Sequence, residues 1–282
     1  MSWRTTTVDE LAERHQALFF DAYGVLVDGS GALPGAASTL ARLNQNNTPY
    51  WIVTNDASRM PQAIAARLRS HGLPIGTEHI VSSGSLVAPH LVAEGWSGAR
   101  CAFLGPEASA GYLSEVVEVV PWPITDPGAV DLVVITDESG YPFLETIDQA
   151  LSLILAKVER GDRLGLVVPN PDLIYPQSPG RFGIAAGSIA QLFESAIQLR
   201  FPTRTDIHFQ RLGKPYPPIY RAAMARAGTQ DAVMIGDQLE TDIRGAKTVG
   251  LAAALVGWGI TGALPEQLPE EIRPDYLLLP FL

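Results

Sequence analysis

Short apolar runs alternate along the chain with stretches of helical period, and most runs end abruptly at polar residues or glycine. Continuous apolar runs at 17–20, 50–53, 101–104, 132–135, 164–168, 232–235 and 252–256 predict strands buried on both faces. Between them, apolar residues three and four apart predict helices at 59–71, 85–94, 143–159, 188–198, 216–226 and 241–248, with a further helix starting near Gly35. Thr7 followed by Glu10 has the form of a capping box and predicts a short helix before the first strand. Ser58 is a candidate cap for the 59–71 helix, and Gly72 its stop. Strand–helix alternation sustained over the whole length predicts an α/β protein with a mainly parallel sheet.

Composition narrows this picture. The chain has 282 residues, 46% apolar and 18% charged, enough to bury one large core or two modest ones and too apolar for a disordered chain. Thirty acidic residues against 20 basic give a formal charge of −10, which disfavours nucleic acid or an anionic membrane as a partner. No apolar run approaches the ~20 residues needed to span a bilayer, and the N-terminal stretch lacks a signal-peptide core, so a soluble, cytoplasmic protein is expected. The single cysteine, Cys101, precludes an intrachain disulfide and reads as a buried strand residue. His15, His71, His79, His90 and His208 are scattered without metal-ligand spacing.

Three predicted strands run into polar residues: the first into Asp21, the second into Thr54-Asn55, and the 232–235 strand into Gly236-Asp237. Ligands of open α/β sheets bind outside the carboxyl ends of the strands, so Asp21, Thr54 and Asp237 meet at one crevice if these strands are neighbours. Taken singly, each feature has an ordinary structural explanation. Asp21 could be a turn residue, Asp242 a carboxylate near a helix N-terminus, and Lys214 a solvated surface cation. Their order along the chain is more specific.

In that order the sequence resembles the haloacid dehalogenase superfamily of hydrolases, and within it the class IIA phosphatases related to 4-nitrophenylphosphatase and the sugar or nucleotide phosphatases. The residues carrying the resemblance are Asp21-Ala22-Tyr23-Gly24-Val25-Leu26-Val27-Asp28-Gly29, Pro34-Gly35, Thr54-Asn55, Asn170-Pro171-Asp172, Gly187-Ser188-Ile189, Gly213-Lys214-Pro215, and Gly236-Asp237 through Thr241-Asp242-Ile243. The resemblance implies a doubly wound, Rossmann-like parallel-sheet core formed by 1–82 plus 182–282, with an inserted α/β cap domain at 83–181 that closes over it. It also implies an Mg²⁺-dependent phosphomonoesterase acting on a small phosphorylated metabolite through an aspartyl-phosphate. Asp21 would be the nucleophile, and Asp21, the Tyr23 main-chain carbonyl and Asp237 would supply metal oxygens, with Asp242 holding a metal-bound water or orienting Asp237. Thr54 and the Asn55 N–H would bind phosphoryl oxygens, and Lys214 would neutralise charge on Asp21 and the phosphoryl group. Similar proteins often dimerise through the cap, so a homodimer is expected.

One position departs from the family. The second residue after the nucleophile is usually an Asp that protonates the leaving oxygen, and here it is Tyr23. General acid–base catalysis contributes about 10²–10⁴-fold, and a phenol donates a proton more readily than it removes one at neutral pH. Asp56 and Asp28 are candidate substitutes; Lys157, in the predicted 143–159 helix, has nothing to place it at a site. Two further readings stay open: a phosphate- and Mg²⁺-binding protein with weak or no turnover, and a 2-haloacid dehalogenase, whose first motif also has the form Asp-x-Tyr-Gly. Against the dehalogenase stand Asp237 and Asp242. Trp122 and the Tyr141-Pro142-Phe143 run could line a substrate slot or fill the cap core.

Overall fold

The computed structural model describes residues 4–178, 180–258 and 267–281. In chain order its first stretch carries β1 (Thr5–Thr6), α1 (Val8–Arg14), β2 (Ala17–Phe20), a small hairpin of β3 (Val27–Asp28) and β4 (Gly31–Ala32), then α2 (Ala36–Gln45), β5 (Tyr50–Thr54), α3 (Pro61–Ser70) and β6 (Ile80–Ser82). The middle stretch carries α4 (Val87–Ala93), β7 (Arg100–Leu104), β8 (Glu118–Val120), β9 (Leu132–Ile135), α5 (Phe143–Arg160), β10 (Gly165–Val168), a hairpin of β11 (Ile174–Ser178) and β12 (Arg181–Ile184), α6 (Ala186–Arg200) and β13 (Gln210–Arg211). The last carries α7 (Pro217–Ala227), β14 (Ala232–Gly236), α8 (Arg244–Thr248), β15 (Ala252–Val256) and β16 (Tyr276–Leu278).

These elements pack as two units. The first comprises 1–54, 61–82 and 213–282; the second comprises 55–60 and 83–212. The first is built on a seven-stranded sheet in the order β1-β16-β15-β14-β2-β5-β6, with every neighbouring pair parallel. Every residue of β2 and β14 is buried, as expected of central strands covered on both faces. From β2 the chain runs outward to β5 and β6, and it later returns to lay β14, β15 and β16 on the other side of β2. The strand order therefore reverses between β2 and β14, the position at which open α/β sheets form a crevice beyond their strand ends. The second unit has its own five-stranded parallel sheet, ordered β13-β10-β9-β7-β8, and its own apolar cores. Among the described residues no helix is long and apolar enough to cross a membrane.

The expected α/β architecture is present, and both main sheets are parallel throughout. The capping box is also there: the Glu10 N–H donates to Thr7 Oγ1 at 3.2 Å, and Glu10 Oε2 accepts the Thr7 N–H at 3.4 Å. The helix expected at 59–71 starts instead at Pro61. Ser58 does not cap it; its N–H and Oγ both donate to Asp56 Oδ1, at 2.9 and 2.7 Å, so the preceding residues form an Asx turn. Pro61 lacks an N–H and suits a first helical turn, where that donor would have no helical partner.

Residues 182–212 lie in the second unit, whereas the sequence reading places them with the first. The cause is α6, whose buried face of Ala186, Ile189, Ala190, Phe193 and Ile197 joins the same core as Val133 and Ile135 of β9 and Leu166 and Val168 of β10. The Phe193 ring stacks on Phe209 with centroids 6.1 Å apart. Replacing Phe193 by Ala should cost about 3–5 kcal/mol, the usual penalty for emptying a buried aromatic site. Denaturant unfolding measures the loss, and hydrogen exchange should show it in β9 and β10 with β2 and β14 still protected.

Candidate active site

The sheet register brings the carboxyl ends of three strands side by side. Met234 and Ile235 of β14 pair with Phe19 and Phe20 of β2, and Phe20 pairs with Ile52 of β5. The Asp21 N–H donates to the Ile235 carbonyl at 2.9 Å, extending the β2–β14 ladder to the residue that leaves the sheet. Asp21, Thr54 and Asp237 thus sit at neighbouring strand ends, and all three are buried.

Beyond the strands the chain turns sharply. Gly24 has φ +85°, a left-handed conformation that glycine adopts without strain, and a Cβ there would collide with the Asp237 carboxylate. A Cβ at Gly236 would likewise collide with the Asp242 side chain. After β14 the chain makes a π-helical turn over Leu239–Ile243, in which the Gln238 carbonyl accepts from the N–H groups of Asp242 and Ile243 at 3.0 and 3.3 Å. This turn brings the Asp242 carboxylate back to the Asp237 N–H.

Lys214 lies between two of the acids. Its Nζ is 2.7 Å from Asp21 Oδ1 and donates to Asp242 Oδ1 at 2.7 Å, and it is almost wholly buried. Asp21 Oδ1 also accepts the Ala22 N–H at 2.7 Å. The second oxygen of Asp242 accepts the N–H groups of Asp237 and Gln238 at 3.2 and 3.1 Å. Both oxygens of Asp242 are thereby engaged, one by Lys214 and the other by the Asp237 and Gln238 N–H groups. Tyr220 of α7, which sequence reasoning missed, donates its hydroxyl to the Thr241 and Asp242 carbonyls at 2.9 and 3.2 Å. It sits on the buried face of α7, where the sequence pattern gives no sign that its hydroxyl has a task.

Burial pushes the Asp21 carboxyl up to about 8; the Lys214 ammonium opposes this, and the Asp242 and Asp237 carboxylates reinforce it. For Lys214, burial works against the charge, but Asp21 and Asp242 outweigh it and hold the ammonium above its ordinary value. Three carboxylates beside one ammonium leave a surplus of two negative charges when all are ionised. Asp21, Asp237 and Asp242 each bring an oxygen within 4.8 Å of the others, and they are the one such group of His, Cys, Asp or Glu among the described residues. An all-oxygen donor set with that surplus fits a hard divalent cation.

The remaining candidates fall elsewhere. Tyr23 is half-buried and packs against the apolar core of the first unit. Asp28 is tied into its hairpin by the N–H and Oγ of Ser30, at 2.7 and 2.6 Å, which hold its carboxyl below the usual range. Asn55 and Asp56 belong to the second unit, where Asp56 takes the Ser58 bonds and stands 3.5 Å from Arg59 Nε. Lys157 donates to the Val130 carbonyl at 2.7 Å, a bond internal to the second unit. Trp122 and Tyr141 pack against the apolar core there, and Phe143 is exposed. Cys101 is buried, and burial pushes its thiol well above the ordinary range. Sequence reasoning also missed Glu138, just past β9 in the second unit. Burial pushes its carboxyl up to about 7, reinforced by Asp137, while a hydrogen bond from Tyr175 opposes the shift. The signal available was a polar run, Thr136-Asp137-Glu138, at a strand exit.

Residues 18–117 match a family model described as haloacid dehalogenase-like hydrolase, and 211–280 match a second, described as HAD-hydrolase-like. Dihydroxyacetone phosphatase of Corynebacterium glutamicum (strain R) is 32% identical over 243 residues, spanning 86% of this chain and 80% of that protein. The chain belongs to the haloacid dehalogenase-like hydrolases. A possible sugar phosphatase of this superfamily from Cytophaga hutchinsonii superposes with a TM-score of 0.81 at 28% identity, covering 98% of each chain. The glycerol phosphate phosphatase of Mycobacterium tuberculosis, solved in complex with magnesium, superposes with a TM-score of 0.75 at 27% identity, covering 95% of this chain and 76% of that one.

Two outcomes follow for this hydrolase. Millimolar Mg²⁺ should raise the melting temperature, since a ligand at 100 times its Kd stabilises by about 2.7 kcal/mol, and Asp237→Asn should abolish the rise; differential scanning calorimetry with and without chelator checks it. The second concerns pH. The folded Glu138 pKa lies above the ordinary 4.5, so its stabilising contribution is full below that value and is lost as pH rises through about 7. Glu138→Gln should therefore flatten the fall in melting temperature across that window.

Proposed function

We propose that this hydrolase is a phosphomonoesterase that removes the phosphoryl group from a small phosphorylated metabolite, with Asp21 as nucleophile and Mg²⁺ as cofactor. The observation that carries the reading is the buried Asp21–Lys214–Asp242 ion-pair chain beside Asp237 at adjacent strand ends. The relatives add to it: one is named for dihydroxyacetone phosphate chemistry and another for glycerol phosphate. These names favour a three-carbon or sugar phosphate over a nucleotide.

The residues divide the work as follows. The Ala22 N–H and Lys214 pin Asp21 Oδ1, and Oδ2 would be the oxygen that attacks phosphorus. The Lys214 charge lowers the repulsion between that carboxylate and an anionic ester. Attack on phosphorus forms the Asp21–phosphorus bond and breaks the ester P–O bond, the leaving oxygen taking a proton to depart as the alcohol; water then hydrolyses the aspartyl-phosphate, releasing inorganic phosphate and restoring the Asp21 carboxylate. Asp21, the Tyr23 carbonyl and Asp237 would hold the divalent cation, with Asp242 behind them. Bound there, the cation supplies charge neutralisation and alignment of the two anions. The Thr54 hydroxyl and the Asn55 N–H would bind phosphoryl oxygens.

Tyr23 favours a second reading, in which phosphate binds and turnover is slow. Its ring packs against the core at the position from which the resemblance leads one to expect a carboxylate proton donor. Phosphate release from a panel including glycerol phosphates, dihydroxyacetone phosphate and sugar phosphates, with Mg²⁺ and with chelator, tests the main reading. Release should require Mg²⁺ and fall to background in Asp21→Asn; equal release by the variant would sink the assignment. Tyr23→Asp decides between the two readings: a gain of about 10²-fold or more, the size of a restored general acid, favours slow native turnover. An unchanged rate assigns the proton transfer to a group already present.

A further inference from the structure

The motif Asn170-Pro171-Asp172 has no task in the reaction so far, and the structure gives it one. The segment Asn55–Met60 packs in the second unit although the residues on both sides of it pack in the first. Asn55 is fixed there at two points. Its side-chain amide donates to Asp172 Oδ1 at 2.9 Å, and its carbonyl accepts from Ser83 Oγ at 2.7 Å. Both Asn55 and Ser83 are buried, Ser83 completely. At the other end of the segment, Tyr112 donates its hydroxyl to the Arg59 carbonyl at 2.6 Å.

Asp172 is itself braced. Its N–H donates to Asn170 Oδ1 at 3.0 Å, closing an Asx turn, and its carbonyl accepts the Gly187 N–H at 3.0 Å. A Cβ at Gly187 would collide with the Pro171 and Asp172 backbone, so this contact requires glycine. Two sequence motifs, Asn170-Pro171-Asp172 and Gly187-Ser188, thus hold the main chain of the residue whose carboxylate accepts from the Asn55 amide.

We propose that Asp172, with Ser83, is a positioning residue for phosphoryl binding: by fixing the side chain and the carbonyl of Asn55 it sets the direction of the Asn55 N–H. This rests on the phosphomonoesterase reading, in which that N–H contacts the phosphoryl group. A residue held at both its side chain and its carbonyl has little freedom to rotate about its own backbone bonds, so its N–H is aimed before the ligand arrives. Aimed donors are worth far more to phosphoryl transfer than donors that must reorganise, and small misplacements are costly. The bond is charge-assisted, which makes it stronger than a bond between neutral groups.

The test reads binding of inorganic phosphate in the presence of Mg²⁺ by calorimetry, alongside kcat and KM for the best ester of the panel. Asp172→Ala should weaken phosphate binding about tenfold and raise KM by a similar factor, with a smaller change in kcat. Asn55→Ala should do the same, and the double variant should be no worse than either single one, because both break one interaction. Asp172→Asn still offers an oxygen to the Asn55 amide and should bind phosphate within about threefold of the wild type; this variant guards against a folding defect in the alanine variant. Unchanged binding in Asp172→Ala, additive losses in the double variant, or an Asp172→Asn as weak as Asp172→Ala would each overturn the positioning role while leaving the activity intact. A wild-type protein that neither binds phosphate nor hydrolyses any ester overturns the underlying reading as well.

Discussion

The site depends on one arrangement, a buried lysine ammonium held between two buried carboxylates. Removing such charges from water costs several kcal/mol per ion, and mutual attraction offsets this only when the geometry is close and the remaining oxygens are satisfied. Lys214 meets the first condition with 2.7 Å contacts to Asp21 and Asp242. Asp242 meets the second, because two backbone N–H groups occupy its other oxygen. The glycines at 24 and 236 permit the approach, since any side chain there would occupy the space taken by Asp237 and Asp242. The cluster is therefore built before any ligand arrives, and its surplus negative charge is what suits it to a cation.

The sheet makes this arrangement affordable. Asp21 and Asp237 each sit one residue beyond strands whose every residue is buried, and the β2–β14 pairing fixes their separation through backbone hydrogen bonds. Loop positions lacking that support would leave the carboxylates free to move apart, and repulsion would drive them to do so. The strand order reverses between the same two strands, so the cluster lies at the carboxyl ends where the connections of an open α/β sheet diverge.

Much of this was legible in the sequence because it is written in local pattern. Asp21, Thr54 and Asp237 stand where apolar runs stop, and a run of four or five apolar residues between helical stretches has few other readings. Lys214 and Asp242 carry no such mark and became legible only through their order along the chain. Tyr220 and Ser83 were not legible: an aromatic on an apolar helix face and a serine after a strand look the same whether or not their hydroxyls are used. The end of the inserted unit was misplaced by some thirty residues for a related reason. The apolar stripe of α6 announces that the helix is buried, but nothing in the stripe names the sheet it is buried against; Phe193 could serve either core until packing decides. The Asx turn at Asp56 displaced a helix start for a local reason, because Ser58 had two possible partners and took the nearer carboxylate.

On the proposed mechanism, a tyrosine instead of a carboxylate two residues after Asp21 bears on charge as well as on proton transfer. A carboxylate two residues after Asp21 would add an acid close along the chain to a group whose pKa burial and the Asp242 and Asp237 carboxylates already raise. On the phosphomonoesterase reading, a neutral side chain at this position adds no repulsion toward an anionic ester. On the same reading it leaves no carboxylate at position 23 to activate water against the acyl-phosphate. On the proposed mechanism the two half-reactions are therefore affected in opposite senses: formation of the aspartyl-phosphate depends on charge balance, which Tyr23 improves, and its hydrolysis depends on proton removal, which a phenol near neutral pH performs poorly. A burst of product followed by slow turnover is the kinetic form such an imbalance takes.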